Sequence, residues 1–363
     1  MANFIDNTTL DWLLDPNDPA LLAKVLTDLL GRSPDNPEVV DARSRIPEQP
    51  FAKAALDAIT SGRIWEHTFY IKYRGISWTM AHLSEIGVPG DHPAIQTGIE
   101  NILETPKRAT QVQQRDVAPL KGCQPVYWKH PLACLTARMA TVLTRYGLTD
   151  HEVTRGARAT LLHLHQPGLG FACQVIDYSL LPGCIMTVPE VLKCWLSIPA
   201  QERTPEEETA IRESVELLRK HGLYKYVPVA AKEFAEKTYK WKVADIRELK
   251  DQWIANGRLN DRKAKDGWLR FSFPHTYNPD LLELLLVLGE ARRQFGEDMV
   301  PQDELINEAL QLVLDRRGKD GRWKLTGGIN GKMWANLDQK GKPSPWITYR
   351  AHRALRLLDP APA

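Results

Sequence analysis

Apolar residues recur at three- and four-residue intervals along almost all of this 363-residue chain, and that period confines it to helices. The clearest runs are Leu21–Leu30, Ile76–Gly87, His92–Leu103, Leu132–Gly147, His151–His165, Pro205–His221, Asp280–Phe295 and Asp303–Arg316. No convincing stretch alternates with a period of two, so strands are not expected. The ends of the runs are chemically marked. Thr204-Pro205-Glu206-Glu207 supplies an N-cap, a proline at the first helical position and acids in the first turn. Gly87, Gly147, Gly222 and Gly296 fall where a left-handed residue closes a helix. The fold class is all-α.

The helices come in pairs. Segment 79–103 and segment 137–162 each read as a helix, a glycine, an acidic turn and a second helix. A third copy runs from Met186 through Ile198 and Arg203 to Leu218, and a fourth from Leu281 through Gly296 and Asp303 to Leu314. Leu21–Leu30 followed by Asp35-Asn36-Pro37-Glu38-Val39-Val40 is a more worn copy, and Trp346–Leu358 reads as a single closing helix. Hairpins of roughly 50 residues cannot bury their faces alone and must stack, into an open superhelix or a closed ring. The whole chain, 1–363, reads as one such domain with two interruptions. The stretch 225–270 holds 12 Lys/Arg against 7 Asp/Glu, with Tyr226, Tyr239, Trp241, Trp253 and Trp268 among them. The stretch 319–345 is rich in glycine and lysine and contains Asp320-Gly321-Arg322-Trp323 and the loop Gly327–Gly331. Each is either a lid over a cavity mouth or ordinary solvated surface.

A formal charge of +2 leaves no global electrostatic footprint for nucleic acid or an anionic membrane. The first residues lack a basic region followed by an apolar one, so no signal peptide is expected. The longest apolar stretch, Leu281 to Leu288, is interrupted by Glu283 and is too short to span a bilayer. A cytoplasmic protein follows as the expectation, and its thiols would stay reduced. No Walker A loop, dinucleotide-binding turn or Gly-x-Ser-x-Gly elbow occurs.

Four cysteines form two pairs with the same spacing. Cys123 and Cys134 enclose ten residues, as do Cys173 and Cys184. Such a quartet either holds zinc or an iron–sulfur cluster or consists of buried free thiols; disulfide or redox chemistry is the remaining alternative. Cys194 follows Cys184 by about 15 Å of helix and should stand apart. His130 and His165 are candidates for a mixed Cys/His site, and His163, two residues from His165, faces another way. Asp177 lies between the thiols of the second pair, where a metal or desolvation would shift its pKa. With Asp116 and Asp280 it makes up the set of candidate catalytic acids, against the alternative of a turn or cap. Aromatic residues cluster at Trp65, Phe69, Tyr70, Tyr73 and Trp78, and Trp128 recurs later; these are candidate substrate-binding side chains or clasps between helices.

The recurring unit of apolar helix, Leu/Ile-Gly, acidic turn, apolar helix and Asp-Gly-x-Trp resembles the repeat of squalene and terpene cyclases and protein prenyltransferase β subunits. Tyr73-Arg74-Gly75-Ile76-Ser77-Trp78, the segment Pro343–Ala351 and the segment from Trp12 to Arg43 resemble bacterial squalene-cyclase-like proteins of uncertain function. The resemblance implies an α/α toroid of about five or six hairpins around an apolar cavity. It implies an isoprenoid-handling enzyme, a terpene cyclase-like lyase or isomerase, whose aromatic side chains stabilise cations. The partner would be an apolar small molecule, including a prenyl diphosphate. The departures are specific. The Asp-x-Asp-Asp acid motif is missing, with Asp11–Asp15 the nearest approach, and no Asp-Asp-x-x-Asp motif for a metal diphosphate occurs. Asp280 could stand for the zinc-binding Asp of prenyltransferases, but residue 282 is Leu where Cys is needed, leaving His352 without its set. Lys237, Lys240, Lys242, Arg258, Arg262 and Lys263 could attract a diphosphate. A non-catalytic ligand-binding or scaffold toroid and a zinc-dependent prenyl or thiol transferase are the alternative readings.

Overall fold

The computed structural model describes residues 5–66, 72–113 (with side chains to 104), 133–168, 170–171, 186–226, 263–274 and 276–359. These residues are mostly helical, and the strands among them are two residues long. They divide into two compact units, Met1–Glu104 with Arg270–Ala363, and Thr105–Leu269.

In the first unit the helices are α1 (Asn7–Leu13), α2 (Pro19–Lys24), α3 (Pro37–Arg45), α4 (Pro50–Thr60), α5 (Ile76–Ile86) and the start of α6 (Pro93–Gln113). In the second unit are α7 (Ala133–Arg145), α8 (Glu152–Leu164), α9 (Thr187–Ser197) and α10 (Pro205–Lys220). The first unit closes with α11 (Leu281–Phe295), α12 (Glu304–Leu314) and α13 (Pro345–Leu358). Local chemistry accounts for most of the starts. Asp6, Asp18, Asn36, Asp280, Asp303 and Ser344 each accept a first-turn backbone N–H through the side chain. Thr204 and Glu207 form the reciprocal capping box at α10. Gly87 closes α5 in the left-handed region at φ 87°, ψ 31°. Gly296 differs from the expected left-handed closure: its φ of 91° is paired with ψ 174°, an extended turn-out that only glycine tolerates easily.

The run expected as one helix over Leu21–Leu30 changes winding part-way, because α2 passes into a π turn over Val25–Leu29. That wider turn carries Asp28 to the hydroxyl of Tyr349 and to Arg353 (3.3 Å), fastening the amino-terminal segment to α13. In Asp320-Gly321-Arg322-Trp323, Trp323 is fully buried, donates its indole N–H to the Val313 carbonyl at 2.7 Å and its backbone N–H to the Thr348 hydroxyl at 3.0 Å. The turn is thereby fastened to α12 and α13.

In the second unit α7 packs on α8 and α9, and α9 on α10. Two buried ion pairs cross between them, Arg138 with Glu190 at 2.9 Å and Arg158 with Glu207 at 2.6 Å. The 225–270 stretch begins and ends in a two-stranded ladder, Lys225 opposite Ala264 and Tyr226 opposite Lys263. Its residues 227–262 lie outside the described residues.

Candidate functional site

The segment Tyr73–Trp78 leads into α5, which is buried along nearly its whole length and therefore fixes whatever precedes it. Trp78 is fully buried and His82 follows one turn later on the same face. Tyr73 packs edge-on against Trp78 with centroids 4.5 Å apart, and His82 lies 5.9 Å from Trp78 and 6.3 Å from Phe51. An aromatic floor results, made by α4, α5 and the turn before α5.

Above that floor, cations sit on π faces. The Lys72 ammonium lies 3.5 Å from the centroid of Tyr277, whose backbone N–H reaches the Tyr73 hydroxyl at 3.4 Å. Arg63 and Arg74 lie 5.5 and 5.6 Å from the centroid of Trp334. Arg74 also donates to the Met333 carbonyl at 3.3 Å, and the Trp334 indole donates to Thr79 at 3.0 Å. Arg63 and Lys72 are exposed, while Arg74, Trp334 and Tyr277 are half-buried. Stacking occupies a guanidinium's face and leaves its edge N–H groups pointing outward, where they can donate to an anionic guest. Among the candidate substrate-binding residues, then, Tyr73 and Trp78 are brought together, whereas Trp65 is 43 % exposed. Tyr70 and Trp128 lie outside the described residues. Sequence reasoning passed over Arg63, Lys72 and Arg74, although two of them flank Tyr73 in a segment singled out for its aromatics.

Asp280 has a different setting. It is 4 % exposed and caps α11, accepting from the N–H groups of Ser272 at 2.6 Å and Glu283 at 2.9 Å. Burial pushes its carboxyl above the usual range, and the nearby Arg350 guanidinium opposes that rise. Arg350 bonds Glu283 at 2.5 Å and the Ser272 carbonyl at 2.6 Å. The group is a buried charge cluster organised around one guanidinium. Its geometry matches the cap reading of Asp280. The glycine loop is packed at its start only: a Cβ on Gly327 would meet Ser272 Oγ at 2.2 Å and the Arg270 carbonyl at 2.7 Å, whereas nothing lies within 4 Å of one on Gly331.

Of the four paired thiols only Cys134 is described, half-buried on α7; Cys123, Cys173 and Cys184 lie outside the described residues, as do Asp116, Asp177 and His130. Among the described residues no three His, Cys, Asp or Glu side chains converge as metal ligands. His165 instead sits 3.6 Å from Glu213 and packs on Phe171, with burial lowering its pKa. His352 is buried with its ring edge-on to Trp323, 5.2 Å between centroids. Cys194 is fully buried on α9, and desolvation pushes its thiol up to about 12. Alkylation followed by peptide mass analysis should leave Cys194 unmodified in the folded protein and label it fully in urea, since only the thiolate attacks. Rapid labelling under native conditions would contradict that burial.

No helix among the described residues is long and apolar enough to cross a membrane. Comparison with protein-family models, with curated proteins and with solved structures finds no match for this chain.

Proposed function

We propose that the chain is an isoprenoid-handling enzyme of the terpene-cyclase type: an α/α toroid that takes an apolar prenyl chain, delivered as its diphosphate, and rearranges it through a cationic intermediate. The observation that carries this reading is the placement of Arg63, Lys72 and Arg74 on the rings of Trp334 and Tyr277, beside the Tyr73–Trp78 floor. The cations suit a diphosphate through charge-assisted hydrogen bonds. Zinc or an iron–sulfur cluster on Cys123, Cys134, Cys173 and Cys184 belongs to the same proposal. Elemental analysis of protein purified under reducing conditions tests it.

Titration with farnesyl diphosphate, followed by Trp fluorescence, should show saturable binding. Replacing both Lys72 and Arg74 with alanine should weaken it at least about tenfold, as expected for lost hydrogen bonds to charged groups at ~1.5–3 kcal/mol apiece. Extraction and mass spectrometry of the same mixture should reveal a new hydrocarbon or alcohol. Binding without turnover would favour the second reading, a non-catalytic ligand-binding toroid, which the missing Asp-x-Asp-Asp motif supports. An affinity unchanged by the double substitution would remove this site from the proposal.

A further inference from the structure

Behind the stacked cations lies a hydroxyl that joins their two supports. Thr79, in the first turn of α5, is 1 % exposed. Its Oγ1 accepts the Trp334 indole N–H at 3.0 Å and donates to the Arg74 carbonyl at 3.2 Å. Arg74 in turn donates its Nε–H to the Met333 carbonyl at 3.3 Å. Three hydrogen bonds therefore close a cycle through Thr79, Arg74 and the Met333–Trp334 dipeptide.

Both sides of that cycle are firmly anchored. α5 is buried along nearly its whole length. On the other side Ile329 and Met333 are each 4 % exposed, and a backbone ladder runs behind them. In it Leu325 donates to the Lys342 carbonyl at 3.1 Å and Ser344 to the Trp323 carbonyl at 2.8 Å. Trp334 is thus a fixed surface for Arg63 and Arg74, 5.5 and 5.6 Å from its centroid. Neither guanidinium has a carboxylate partner among the described residues. Arg74 gives its Nε–H to Met333, and Arg63 gives its own to Ser61 at 3.2 Å. The paired terminal N–H groups of each fork remain, a geometry matched to phosphate oxygens. Two like charges resting on one indole repel each other, and an anion spanning both forks relieves that repulsion.

We propose that Thr79 is the positioning residue of this site, and that what it aligns is a pair of guanidinium forks for a pyrophosphate group. By holding the indole and the Arg74 backbone through one oxygen, it sets the angle at which both forks meet the guest. Valine in its place keeps the volume and removes both bonds, leaving a buried indole N–H without its acceptor. The inference rests on the diphosphate reading given above and narrows it to the anionic end of the guest. The prenyl chain and its rearrangement play no part in it.

Calorimetric titration of the full chain with inorganic pyrophosphate tests this, with urea midpoints measured on the same samples. Wild-type protein should bind saturably. Thr79→Val should bind at least about tenfold more weakly, the loss expected when one charge-assisted bond is no longer aligned. Thr79→Ser retains the hydroxyl and should restore the wild-type affinity. Trp334→Phe keeps a π face without the N–H and should also bind more weakly. The Thr79→Val, Trp334→Phe double variant should lose far less than the product of the two single losses, because both break the same contact. A purely structural role for Thr79 would lower the urea midpoint and leave the affinity of the folded protein unchanged.

Wild-type affinity in folded Thr79→Val, an equal loss in Thr79→Ser, or losses that multiply in the double variant would each overturn the assignment. Pyrophosphate binding by a wild-type protein that leaves farnesyl diphosphate unconverted sinks the cyclase reading and keeps Thr79 in its role. Wild-type protein that binds no pyrophosphate removes the anion site, and the role of Thr79 with it.

Discussion

Arg350→Met should destabilise the protein by about 3–5 kcal/mol, read as a fall in the urea midpoint with little change in slope. The side chain is 4 % exposed, and its two terminal nitrogens serve different partners, Glu283 at 2.5 Å and the Ser272 carbonyl at 2.6 Å. Without the guanidinium, Glu283 loses a charge-assisted bond in the interior beside Asp280, whose carboxyl burial already pushes up. The fork also lies 5.6 Å from the ring centroid of Phe273, which stacks on Trp346 at 4.2 Å. Lysine should not restore stability, because one ammonium cannot reproduce two donors held at a fixed angle. Pairing Arg350→Met with Glu283→Leu should recover part of the loss, since much of the penalty arises from keeping the carboxylate buried rather than from the bond itself. A single variant that costs less than about 1 kcal/mol would mean that water reaches this cluster.

Glu207→Ala should be comparably severe in the second unit, because one carboxylate does two jobs there. It is 1 % exposed, receives Arg158 at 2.7 and 2.6 Å, and accepts the Thr204 N–H at 3.0 Å to complete the capping box. Loss of the buried ion pair costs about 3–5 kcal/mol, and the cap adds about 1 kcal/mol. Thr204→Ala removes only the cap, so it should cost about 1 kcal/mol. Glu207→Gln retains an acceptor for Thr204 and loses the charge, which places it between the two. Equal losses for Thr204→Ala and Glu207→Ala in urea titrations would show that the ion pair contributes nothing beyond the cap.

Much of the helical framework was legible because its signals are short. The Thr204–Glu207 cap and the aspartate cap at 303 act over three residues, so the chain displays them without reference to its fold. The unexpected π turn at Val25–Leu29 has no comparable local signature. It coincides with the long-range engagement of Asp28 by Tyr349 and Arg353. Asp280 shows the same limit at a candidate site. A carboxylate before an apolar run reads equally as an acid or a cap, and the Ser272 and Glu283 amides match the cap.

The sequence by itself determined an all-helical chain and the start and end of most helices. Only the tertiary structure decided which polar groups meet. Asp18 and the Trp346 indole are 328 residues apart, and Tyr73 meets Tyr277 across 204. Capping depends on backbone donors a few bonds away. A carboxylate pair or a stacked cation depends on how the chain returns to itself, which is set by the burial of many apolar faces at once.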